Sequence, residues 1–163
     1  MTNTVILNFT LNNKKKTIEV PTNLTLIDLL REDFGLRGTN LSCNQGVCGS
    51  CTIIIDGSPV AACHKFAFEI EDSNIQTIEG LAMQDGKLDP VQEAFADLSA
   101  FQCGFCTPGM IMLSRALLNK NPNPSEETIK EWISSNICRC TGYAMIIEAV
   151  KLASQKTRKI QVT

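Results

Sequence analysis

The chain predicts an α+β fold, a mixed sheet with one short helix followed by an all-α bundle of four helices, and three observations lead to it. Apolar residues alternate with period 2 as far as about Gly80 and recur with period 3.6 beyond it. Cap and turn residues punctuate both halves where those periods begin and end. Eight cysteines fall into two quartets, one in each half, with none left over. The 163 residues, 44% hydrophobic and 20% charged, suffice for two domains of about 80 residues each, and the expected division is 1–79 and 80–163.

Val5, Leu7, Phe9 and Leu11 alternate with Ile6, Asn8 and Thr10, a half-buried strand; Asn12-Asn13 offers a turn, and Ile18 and Val20 resume the alternation up to Pro21. Lys14 to Lys16 are expected at the solvated hairpin tip. Thr25 caps a short helix whose Leu26, Leu29, Leu30 and Phe34 share a face before Gly35 stops it. Thr52-Ile-Ile-Ile, the turn Asp56-Gly57 and a return through Val60 to Cys63 read as a second hairpin, and Ile75 to Ile78 as a further strand.

Past Gly80, Val91, Ala94, Phe95 and Leu98 form one helical stripe, and Met110, Leu113, Leu117 and Leu118 another, with Thr107-Pro108 as N-cap and first position. Asn121-Pro-Asn-Pro interrupts the pattern. Ser125 caps a third helix, with Glu126 and Glu127 in its first turn and Ile129, Trp132 and Ile133 on its apolar face. A fourth runs from about Ala144 to Ala153, and the polar residues from Ser154 to Thr163 read as a frayed tail or a partner contact. The cysteine pairs of this half precede the second and fourth helices.

Cys43, Cys48, Cys51 and Cys63 read C-x4-C-x2-C with the fourth after eleven residues. That is the spacing of a plant-type 2Fe-2S loop. Gly46 and Gly49 allow the loop's amides to turn toward the sulfurs. Zinc is the alternative, but its quartets usually pair two C-x2-4-C knuckles, whereas this loop carries three ligands in nine residues. Rieske ligation needs two histidines and the chain has only His64. Cys103, Cys106, Cys138 and Cys140 form a C-x2-C and a C-x-C pair thirty-one residues apart, a spacing that by itself leaves iron-sulfur and zinc both open. A thioredoxin-like redox pair fits less well, because Gly104-Phe105 lies in helical context without a preceding strand.

Leu29-Leu-Arg-Glu-Asp-Phe-Gly-Leu, Gly46-Val-Cys-Gly-Ser-Cys-Thr, Gln102-Cys-Gly-Phe-Cys-Thr-Pro-Gly-Met and Asn136-Ile-Cys-Arg-Cys-Thr-Gly-Tyr resemble the iron-sulfur subunit of the molybdenum hydroxylases over about residues 4 to 155. That family includes xanthine dehydrogenase, aldehyde oxidoreductase and carbon monoxide dehydrogenase. The resemblance implies a β-grasp ferredoxin-like domain, a four-helix domain and a 2Fe-2S cluster on each quartet. It places Gln102 and Cys140 beside the pterin of the molybdenum cofactor. Ser135 departs from the family's usual glycine, and Asn40-Leu-Ser from its usual Lys-x-Gly; neither change removes a ligand.

No catalytic residue is expected on this chain, since neither a Gly-rich dinucleotide fingerprint, paired catalytic carboxylates nor a nucleophile with its base is visible. One-electron clusters cannot run a two-electron substrate reaction alone, so the chain reads as a subunit. The resemblance implies a large molybdopterin-binding subunit and a FAD-binding subunit in a heterotrimer or its dimer. It also implies a substrate that is an N-heterocycle, purine-like, or an aldehyde. A free-standing iron-sulfur electron carrier is the alternative, and a zinc-stapled interaction protein a third reading. Two oxidised clusters would bring the formal charge of -2 to about -6, which argues against nucleic acid. Met1 to Thr10 has no signal-peptide pattern and no apolar run approaches the roughly 18 residues of a membrane span, so the expected compartment is cytoplasmic. His64 is expected to be a strand residue and Trp132 a core residue; Arg139 either balances cluster charge or reaches solvent.

Overall fold

The computed structural model describes residues 3–82 and 86–161, with side chains through 159. Strand β1 (Thr4–Leu11) pairs antiparallel with β2 (Lys14–Pro21), and Asn12 and Asn13 between them take φ of 48° and 64°. Asparagine is one of the few residues besides glycine that enters this left-handed region readily. The tip is therefore the asparagine pair. The lysine run, expected there, opens β2, and Lys16 reaches over the Phe34 ring at 5.5 Å.

Helix α1 (Leu26–Asp28) starts on Thr25, whose hydroxyl accepts the Asp28 N–H, and widens into a π-type turn over Leu29–Asp33. Strands β3 (Thr52–Ile55) and β4 (Ser58–Ala61) form the second hairpin, and β5 (Asn74–Gln76) completes a five-stranded sheet of order β2-β1-β5-β3-β4. It is mixed because β1 and β5 run parallel, while the other pairs are antiparallel. Strand β4 stops at Ala61, short of the expected Cys63. Ala62–His64 form a 3-10 turn, which brings the Cys63 N–H onto Cys51 Sγ at 3.5 Å and puts His64 on a turn, not a strand. Strand β5 ends at Gln76, two residues early, because the Asn12 side chain binds Thr77 and a 3-10 turn follows over Ile78–Gly80.

The helical half contains α2 (Pro90–Asp97), α3 (Thr107–Lys120), α4 (Glu126–Ile133) and α5 (Ala144–Gln161). Asp89 caps α2 by accepting the Val91 N–H, and Gln92 reciprocates to the Asp89 N–H. Helix α3 begins one residue earlier than expected, with Cys106 at the cap, because the Cys106 carbonyl already accepts the Met110 N–H at 3.0 Å. Ser125 caps α4 as expected. Helix α5 does not fray at Ser154 but continues to Gln161. Ser154 donates to the Pro122 carbonyl at 2.7 Å, and Lys156 pairs with Glu93 and Asp97 of α2 at 2.9 and 2.7 Å. Val162 and Thr163 lie outside the described residues.

Two apolar cores result. One gathers Leu7, Phe9, Leu26, Leu30, Ile53 and Ile75; the other gathers Phe95, Met110, Leu117, Ile129 and Ile146. Burying each such side chain contributes roughly 1.5–3 kcal/mol. Strand β3 serves both, with Ile53 and Ile55 turned into the first core and Ile54 into the second. Among the described residues no helix is long and apolar enough to cross a membrane.

Candidate metal centres

The first quartet lies on the loop between α1 and β3 and on the turn after β4. Arg31 braces the loop's entry by donating to the Arg37 and Thr39 carbonyls, each at 2.9 Å, and the Thr52 hydroxyl fixes its exit by donating to the Gly49 carbonyl at 2.7 Å. Main-chain amides face the thiols: Gln45 and Cys48 N–H reach Cys43 Sγ at 3.4 and 3.5 Å, and Gly46 N–H reaches Cys63 Sγ at 3.3 Å. Such donors stabilise thiolate and sulfide charge. The Cys43 thiol is accordingly lowered from 9.0 to about 6, first by the Cys48 N–H and then by that of Gln45. Burial acts the opposite way on Cys51, which is pushed up to about 12.

The second quartet lies on the turn that leads into α3 and the turn between α4 and α5. Cys103 and Cys140 are exposed, with Sγ atoms 3.5 Å apart. Cys106 interacts with Cys138 and is pushed up to about 12, chiefly by burial. Burial also opposes ionisation of Cys138, but the Thr141 hydroxyl and N–H, at 3.0 and 3.4 Å from its Sγ, outweigh it and lower the thiol. The Phe105 amide lowers Cys103, while contact with Cys103 raises Cys140. A metal loaded at either quartet must displace the protons that the raised thiols hold.

Within each quartet the thiols lie near enough to influence one another's ionisation, Cys51 with both Cys48 and Cys63 and Cys106 with both Cys103 and Cys138, and Cys103 and Cys140 Sγ are in direct contact. Among the described residues no group of three or more Cys, His, Asp or Glu side chains is gathered to hold a single ion. A two-iron diamond takes two ligands on each iron. Amides turned to the sulfurs, at Cys43, Cys51, Cys63 and Cys138, fit the charge of a 2Fe-2S cluster's thiolates and sulfides.

Gln102 and Arg139 are exposed beside these thiols, Gln102 next to Cys103 and Arg139 between Cys138 and Cys140. His64 packs behind Gly46, where a Cβ would strike its side chain. Trp132 is half-buried against the helical core, with Lys120 Nζ 5.9 Å from its ring centroid. Sequence reasoning quoted Asn136, Thr141 and Tyr143 within a motif but gave these supporting residues no role. Tyr143 Oη accepts the Cys138 N–H at 2.8 Å and donates to the Asn136 carbonyl at 3.4 Å. The signal of these three residues in the sequence is membership of the Asn136-Ile-Cys-Arg-Cys-Thr-Gly-Tyr motif, which does not reveal these contacts.

The two sites are joined by backbone. The Ile137 N–H donates to the Cys48 carbonyl at 2.8 Å, and Gly109 in the first turn of α3 passes so near the Gly49 and Ser50 carbonyls that a Cβ there would strike them. Gly49 sits at φ 69° beneath the Asn136 carboxamide, which leaves no space for a side chain.

Residues 9–82 match a 2Fe-2S iron-sulfur cluster binding domain, and residues 77–151 match a [2Fe-2S] binding domain. The chain is 46% identical to the nicotinate dehydrogenase small FeS subunit of Eubacterium barkeri, over 94% of this chain and 98% of that one. It is 47% identical to the nicotine 6-hydroxylase small subunit of Paenarthrobacter nicotinovorans, over 85% and 83%. Its fold superposes on a chain of quinoline 2-oxidoreductase from Pseudomonas putida 86 with a TM-score of 0.90 at 42% identity, covering 96% and 97%. Two 2Fe-2S domains in this order, with relatives matched along nearly their whole length, place the chain among the small iron-sulfur subunits of the molybdenum hydroxylases.

Proposed function

We propose that the chain carries electrons between the molybdenum centre and FAD of a molybdopterin-dependent oxidoreductase. Cys43, Cys48, Cys51 and Cys63 would hold one 2Fe-2S cluster, and Cys103, Cys106, Cys138 and Cys140 the other. The observation that carries this reading is that main-chain amides are turned onto the cysteine sulfurs of both quartets, with the quartets joined by the Ile137–Cys48 hydrogen bond. When bound, each cluster supplies one-electron chemistry at a potential tuned by hydrogen bonds to its sulfurs. The chain's own part is to hold the thiolates, direct amides at them and keep the two sites at a fixed spacing.

Gln102 and Cys140 are assigned to contact with the pterin, which would sit on a large molybdopterin-binding subunit. Their position supports this, since both are exposed and Cys103 links them. The N-terminal site would then lie toward a FAD-binding subunit, in a heterotrimer or its dimer. The two domains would part near 79/80, a division supported by the two cores. The substrate class we favour is an N-heterocycle, since the relatives above are named for nicotinate, nicotine and quinoline; an aldehyde is the other class. Eight free thiols used as ligands suit the cytoplasm.

Anaerobic purification from the native cells tests this. The expected product holds about four irons and four sulfides on this chain, together with a molybdopterin chain and a flavin chain. Stoichiometric zinc without sulfide would refute the clusters, whereas a fully loaded chain running alone at 17.9 kDa would favour a free-standing carrier. Replacing Cys48 with Ser is expected to leave substrate reduction of the C-terminal site near normal and to slow flavin reduction greatly. Rapid-freeze EPR reads both, and unchanged flavin reduction after verified loss of the N-terminal cluster would show that the proposed order is wrong.

A further inference from the structure

Asn136 stands where the two cysteine loops meet. It is 3% exposed and two positions before Cys138, with its carboxamide lying over Gly49. Its Oδ1 lies 3.3 Å from the Thr52 hydroxyl, where it shares the single proton directed mainly at the Gly49 carbonyl 2.7 Å away. Its backbone carbonyl accepts from Tyr143 Oη, which in turn accepts the Cys138 N–H. The next amide along, that of Ile137, donates to the Cys48 carbonyl at 2.8 Å. One side chain thus touches the loop of the first quartet while its own backbone leads into the second. Its Nδ2 is buried with no partner. A buried, unpaired amide donor costs about 1–3 kcal/mol, a penalty that space-filling by an apolar residue would avoid.

We propose that Asn136 is a positioning residue for electron transfer between the two cluster sites: lodged over Gly49 and bound to Thr52, it fixes the Ile137 N–H···O=C Cys48 hydrogen bond. That bond joins a ligand of one quartet to the immediate neighbour of a ligand of the other. This rests on the reading that both quartets hold 2Fe-2S clusters. The step it serves moves one electron and no proton. One site is oxidised by one electron, the other reduced by one, and no covalent bond forms or breaks. The chain contributes a continuous hydrogen-bonded link and a constant spacing, and supports of this kind behind metal ligands are worth about 10–100-fold in function.

The test uses the purified complex with Asn136→Ala, the near-isosteric Asn136→Leu and the milder Thr52→Val, reduced with dithionite for the spin–spin splitting and left oxidised for the flash measurement. Iron and sulfide content, the spin–spin splitting between the reduced clusters, the intercluster electron-transfer rate after flash reduction and hydrogen exchange at the Ile137 amide are measured. Both Asn136 variants are expected to keep about four irons and four sulfides, lose protection at Ile137, change the splitting, and slow intercluster transfer about tenfold or more. Thr52→Val should move the same readouts less. Loaded Asn136 variants with unchanged rate and splitting would overturn the proposal, as would an unprotected Ile137 amide in the wild type. If neither Asn136 variant loads, Thr52→Val decides, and an unchanged rate there also overturns it. A wild-type complex without iron and sulfide would instead sink the reading of the quartets, through a separate measurement.

Discussion

At Gly109 two residue-scale effects oppose each other. Glycine in a helix is about 0.8–1.0 kcal/mol less favourable than alanine, so propensity favours Gly109→Ala. The position, however, faces the Gly49 and Ser50 carbonyls at closer than side-chain distance. Forcing a methyl into such a contact typically costs 1–3 kcal/mol. The second effect wins, and Gly109→Ala is expected to lower stability by about 1 kcal/mol or more, with the first cysteine loop shifted. Denaturant unfolding of the loaded chain measures it; a variant as stable as the wild type would mean that α3 does not pass so near that loop. The cysteines themselves were legible as quartets because ligand spacing is local. Asn136 was legible only as part of a motif, since its partner Thr52 is 84 positions away and nothing in either neighbourhood reveals the contact.

At the scale of elements, periodicity located the strands and helices but misjudged several ends, and for one reason. Strand β4 yields to the turn that delivers Cys63, β5 yields to the Asn12–Thr77 bonds, and α5 outruns its apolar stripe because polar side chains anchor its last turns to Pro122 and α2. Those partners are tertiary, so no window along the chain contains them. The link between α4 and α5 also carries a pH dependence. Glu126 is lowered from 4.5 to about 2, first by Lys130 and then by Lys151, with contacts at 2.5 and 2.6 Å. A carboxylate lowered on folding stabilises fully above its unfolded value, so this contribution is complete above pH 4.5 and is lost as the pH falls through about 2. Trp132 on α4 offers the probe. Its fluorescence in the wild type should change over that window, and Glu126→Gln should reduce the change. An identical titration in both proteins would assign the transition elsewhere.

At the scale of the molecule, the sequence reads as two halves and the structure ties them through β3. Its four residues are all buried, because α3 covers the face opposite α1. The run Thr52-Ile-Ile-Ile shows no alternation for that reason, and only the assembled molecule explains it. The two metal sites do not share this shelter equally. Cys51 and Cys63 are 2% and 8% exposed, whereas Cys103 and Cys140 lie open to solvent. The consequence is a difference in durability. In the chain kept apart from its partners, oxygen and chelators reach the C-terminal site first, and an ageing preparation should pass through a form that retains only its N-terminal iron. Mössbauer or EPR spectra followed over hours with a chelator present would record that sequence, and equal rates of loss from both sites would contradict it. A neighbouring subunit seated over Cys103 and Cys140 would then act as a preservative as well as an electron donor, so the chain would keep its full complement of iron only in company.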